Sequence, residues 1–129
     1  MAKQPPAPGF PATATATIEL RGGRIVVVAD DGTEDRIRVA AGGIVDFVTP
    51  ADSPFKWWSI VWADETPFQD GAGFCGEARG RRKPCRISGQ AHGGGQASKG
   101  YKFAVVASDG STVHFRDPEV IVGPGAGGG

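Results

Sequence analysis

The chain has 129 residues, and its 14 lysines and arginines balance 14 aspartates and glutamates, so no net field draws the whole molecule toward nucleic acid or an anionic membrane. Its 21 glycines and 10 prolines fall between short apolar runs, which argues against a mainly helical chain and for many strands joined by turns. One domain with one core is expected at this length; no stretch approaches a membrane span, and the first residues lack the apolar run of a secretory signal, so the chain reads as cytoplasmic by default.

Residues 1–12 are rich in proline and alanine and read as an extended tail, 13–123 as the folded domain, and the glycine-rich 124–129 as a second flexible tail. Nine runs rich in β-branched and aromatic residues fill the domain, at about 14–20, 24–29, 35–39, 43–48, 55–62, 84–88, 101–107, 112–116 and 119–123. Asp31-Gly32 and Asp109-Gly110 each separate two such runs, and Asp-Gly accepts the positive φ angles of a tight hairpin. Both are predicted hairpin turns. In the run that follows the first, Ile37 and Val39 alternate with Arg36 and Arg38, which places the aliphatic pair inward and the arginines toward water. Pro118 interrupts the chain after Phe115-Arg-Asp, and Glu119-Val-Ile-Val is predicted to resume as an edge strand.

Phe55-Lys-Trp-Trp-Ser-Ile-Val-Trp62 is the most informative run. Alternation sends Phe55, Trp57, Ser59 and Val61 one way and Lys56, Trp58, Ile60 and Trp62 the other, so both faces are substantially apolar. One face belongs to the core. The other needs a cover, either the long loops folding back or a partner docked on an aromatic contact surface built on Trp58, Ile60 and Trp62. Two long irregular segments, 63–84 and 88–100, are further places to look for function.

Cys75 and Cys85 bracket a short loop, and a disulfide between them would contribute about 2–3 kcal/mol on chain-entropy grounds, two reduced thiols being the competing state. The bracketed stretch is basic, with Arg79, Arg81, Arg82, Lys83 and Arg86 against Glu77. Such a cluster can meet phosphates or a protein partner, although Asp64, Glu65 and Asp70 precede it closely. Zinc is disfavoured, since only His92 and His114 accompany the two cysteines and no paired ligand spacing exists. Gly71-Ala-Gly-Phe-Cys-Gly76 formally matches a dinucleotide fingerprint but is predicted to be a turn, because no helix follows it. Ser108, Asp109 and His114 lie close in sequence without a nucleophile elbow, so no catalytic residue is assigned and an enzyme is not expected.

The succession Gly43-Ile-Val-Asp-Phe-Val, the tryptophan-rich run, Gly100-Tyr-Lys-Phe-Ala-Val-Val and Asp117-Pro-Glu-Val-Ile-Val resembles the cupredoxin-like sandwich, and more loosely an immunoglobulin-like one. The resemblance covers about residues 14–123 and implies an all-β, Greek-key β-sandwich. Copper-binding members use two histidines, a cysteine and usually a methionine gathered mostly in one late loop. Here the sole methionine is Met1 and neither histidine stands in that spacing, so the resemblance implies a copper-less scaffold with no cofactor. The sequence therefore predicts a non-catalytic binding or assembly module with a protein partner or self-association. A metal-binding redox protein and a polyanion or nucleic-acid binder acting through residues 79–86 are the alternatives.

Overall fold

The computed structural model describes residues 10–69, 75–79, 86–91 and 99–123, and these contain no helix. Among the described residues ten strands succeed one another: β1 (Thr13–Arg21), β2 (Arg24–Ala29), β3 (Arg36–Ala40), β4 (Ile44–Val48), β5 (Trp57–Trp62), β6 (Cys75–Arg79), β7 (Arg86–Gln90), β8 (Lys99–Ser108), β9 (Val113–Arg116) and β10 (Glu119–Gly123). They form a four-stranded sheet, β2-β1-β4-β7, and a six-stranded sheet, β3-β10-β8-β5-β6, with β9 also paired to β8. Both sheets are mixed, since β1 runs parallel to β4 and β3 parallel to β10 while the remaining pairs are antiparallel.

Period-two burial follows from the pleat, which sends successive side chains to opposite faces. Ala16, Ile18, Val27 and Phe47 from the first sheet join Val39, Trp58, Ile60, Phe103, Val105 and Val120 from the second in one buried cluster, a sandwich-like all-β arrangement. At one end Phe47 meets Trp62, Phe68 and Phe103 edge to face, with ring centroids 6.5, 6.1 and 5.5 Å apart. Each such pair contributes on the order of 1 kcal/mol beyond the area it buries.

Several local expectations are revised. The Asp31-Gly32 turn forms, with Gly32 at φ 85° and its amide donated to the Ala29 carbonyl at 2.9 Å, but no hairpin ladder grows from it. After a single bridge between Val28 and Glu34 the chain leaves the four-stranded sheet, and β3 pairs with β10 in the other. Asp109-Gly110 does join a hairpin, β8 to β9. Glu119-Val-Ile-Val is an interior strand between β3 and β8, not an edge, because Pro118 lets the chain kink and resume farther along the same side of β8. Strand β6 occupies part of a segment read as irregular, and Cys75-Gly76 belongs to it.

The last residues of the proline-rich tail are integrated into the domain. The Pro11 carbonyl accepts from the Ala40 amide at 2.8 Å and the Ala12 carbonyl from the Ile44 amide at 2.9 Å. Phe10 lies where a side chain on Gly123 would otherwise be. Gly43 is needed for the same junction, since a Cβ there would sit 2.5 Å from the Ala12 carbonyl oxygen.

Candidate interaction surface

Trp58, Ile60 and Trp62 are buried in the core cluster and cannot present an aromatic contact surface. The alternation along β5 is as predicted, but the face open to solvent is the opposite one, with Trp57 and Ser59 half-buried and Val61 exposed. Phe55 is buried because it precedes the strand, beyond a bend at Lys56.

Strand β9 extends that open face and departs from ordinary patterning. Val113, His114, Phe115 and Arg116 alternate apolar and polar, and an exposed strand normally turns its apolar set to the core. Here the set is reversed. Val113 pairs with Ser108 and Phe115 with Val106 on the outer face, leaving Val113 50% and Phe115 70% exposed. His114 and Arg116 take the positions opposite the buried Ala107 and Val105. His114 stacks obliquely on Phe55 with ring centroids 5.8 Å apart, and the Arg116 Nε donates to Asp35 Oδ2 at 2.8 Å. The Asp35 carboxylate in turn raises the guanidinium pKa above its ordinary value through that hydrogen bond.

Register carries the surface across the sheet. Phe115 is opposite Val106, which is opposite Ser59; Val113 is opposite Ser108, which is opposite Trp57; and Ala104 is opposite Val61. At roughly 4.8 Å between strands, β9, β8 and β5 present a strip about 10 Å wide from backbone to backbone. Its centre is uncharged. Lys102 lies toward one end of β8, 3.7 Å from Asp117. No family model matches the chain, and no curated protein matches it.

Ser108 and His114 do not form a nucleophile and base pair, because their register partners, Val113 and Ala107, put them on opposite faces of the sheet. The Ser108 Oγ instead accepts the Gly110 amide at 3.1 Å. The Asp109 Oδ1 accepts the amides of Ser111 and Thr112 at 2.8 Å each, and its Oδ2 stands 3.7 Å from His114 Nε2. Those are the contacts of a braced turn.

The predicted basic cluster and disulfide fall largely outside the described residues. Arg81, Arg82, Lys83 and Cys85 lie there, as does His92; strand register sets Cys75 opposite Val61, Arg79 opposite Trp57 and Arg86 opposite Val48. Among the described residues no group of three or more histidines, cysteines, aspartates or glutamates could hold a metal ion.

Val113, Phe115, Trp57 and Val61 were not singled out from the sequence. Their apolar character is plain there, but binary patterning assigns such residues to the core and so conceals an outward apolar set.

Proposed function

We propose that this chain is a non-catalytic β-sandwich module that binds a protein partner through the outer face of its six-stranded sheet. The reading is carried by the reversed patterning of β9, which exposes Val113 and Phe115 on the same sheet face as Val61, across β8 from it, while His114 and Arg116 take the inner positions. Exposing apolar surface forgoes about 25 cal/mol per Å² of burial, and a contiguous exposed patch of this kind marks interaction sites in soluble proteins. Half-buried Trp57 at its border adds a residue type that concentrates interface energy.

The scaffold proposed is cupredoxin-like and copper-less. Its support is the pair of mixed sheets, each with one parallel pairing, whereas immunoglobulin-like sandwiches are built from antiparallel sheets. The test is association measured by light scattering over a wide concentration range and by capture of partners, comparing the native chain with F115S and V113S/F115S. Association that weakens about tenfold in F115S, with thermal stability unchanged, supports the reading. Association equal in all three proteins, or none for the native chain alone or with cell extract, rejects it.

A further inference from the structure

Strand β1 outruns its neighbour. β4 pairs with it only over Thr13–Thr17, whereas β2 continues along its other side to Arg21. β4 ends at Val48, and the chain turns away through Pro50, whose carbonyl accepts the Ser53 amide at 3.0 Å.

The main-chain groups facing this gap can be assigned. Val27 accepts the Asp35 amide on its carbonyl at 2.6 Å and donates its own amide to Asp35 Oδ1 at 3.3 Å, so its peptide groups point away from β1. Its register partner Ile18 therefore points away from β2, because directly opposed residues of an antiparallel pair share one orientation. Leu20, two residues on and opposite Ile25, points the same way. Pro50 has no amide hydrogen to give the Ile18 carbonyl. No described strand pairs with Leu20 on this side.

A cleft of about 230 Å³ fills the space, with Ile18, Glu19 and Leu20 on one side and Pro50, Asp52 and Pro54 on the other. Among the described residues its ionic groups are both acidic. Glu19 is already shared with Arg21 at 3.2 Å, and no described lysine or arginine lines the cleft beside Asp52. Unpaired strand edges are templates for a further strand.

We propose that this gap is a strand-addition site for an extended basic peptide segment of another protein. The segment's main chain pairs with the Ile18 carbonyl and with both peptide groups of Leu20, and one of its lysines or arginines meets Asp52. Residues 18–21 offer roughly 10 Å of edge at about 3.3 Å per residue, enough for a three-residue strand. The site is on the four-stranded sheet and does not rest on the function proposed for the outer face of the other sheet.

The experiment is a titration of the isotope-labelled full chain with the peptide Ac-Val-Lys-Val-Lys-Val-NH2, followed through backbone amide resonances. Controls are the same peptide with N-methylated central residues and its glutamate counterpart. Binding is expected to shift the amides of residues 18–21 and 51–53, to favour lysine over glutamate by ~3-fold, the size of one exposed ion pair, and to vanish on N-methylation. D52N is expected to remove the lysine preference without altering the rest of the spectrum. No shift at residues 18–21 with millimolar lysine peptide, equal binding of the N-methylated peptide, or an unchanged preference in D52N overturns the proposal.

Discussion

Asp35 sits at φ 61°, in the left-handed region where a side chain crowds the backbone and which aspartate tolerates better than most residues. Its carboxylate bonds the Val27 amide and Arg116, and its carbonyl accepts the Glu119 amide at 3.0 Å, so one residue ties β2, β9 and β10 where the chain changes sheets. The native chain should be more stable to urea than D35N, which keeps the shape and weakens the ion pair, and D35N more stable than D35A, which loses both carboxylate contacts and retains the strain. A D35A variant as stable as D35N would show that the carboxylamide contributes nothing there. At the other turn, the amides of Thr112 and Ser111, then His114, hold the Asp109 pKa below its ordinary value of 3.8. A lowered folded-state pKa stabilises the protein above about pH 3.8 and loses that contribution as pH falls through the folded value. D109N should therefore be less stable than the native chain near neutrality, and the gap should narrow on acidification; melting temperatures of the two proteins across the acid range measure it. Gly123 is a steric case: a Cβ there would overlap the Phe10 ring, so G123A should cost about 1–3 kcal/mol, most of it relieved when Phe10 is also truncated.

At the scale of the strand, β5 separates two kinds of tryptophan. Trp58 is fully buried, and W58A should cost about 3–5 kcal/mol, whereas W57A at the half-buried outer position should cost far less; chemical denaturation of the two variants decides which face is core. Alternation made the strand itself legible in the sequence. It left the choice of face open, because Trp57 and Val61 are as apolar as Trp58 and Ile60, and only the opposing sheet selects between them. β6 was illegible for a different reason: Cys-Gly-Glu-Ala-Arg lacks β-branched and aromatic residues, and it is a strand through its pairing with β5. Asp31-Gly32 specified a turn and nothing about the destination of the chain beyond it, which depends on the remote pairing of β3 with β10. In β9 the apolar and polar sets were legible and their direction was inverted, and the candidate surface arises from that inversion.

At the scale of the whole molecule, equal numbers of acidic and basic residues leave neither long-range attraction to a polyanion nor net repulsion between copies. The outer strip of β5, β8 and β9 is uncharged at its centre, so the proposed association should respond to salt as an apolar contact does. Raising sodium chloride from low to physiological strength should change affinity little, while sulfate, which is excluded from protein surfaces, should strengthen it. A basic segment meeting phosphates behaves differently, because each neutralised phosphate releases counterions and affinity falls steeply with salt. Each cation engaged adds close to one unit to the logarithmic slope, so four or five contacts from residues 79–86 would weaken binding by roughly a thousandfold or more over a tenfold rise in salt. Binding isotherms at three sodium chloride concentrations and one sulfate concentration separate the two mechanisms. A flat chloride response that F115S weakens belongs to the sheet face; a steep one that F115S leaves unchanged belongs to the arginines, and would move the binding function from strand β9 to the basic segment.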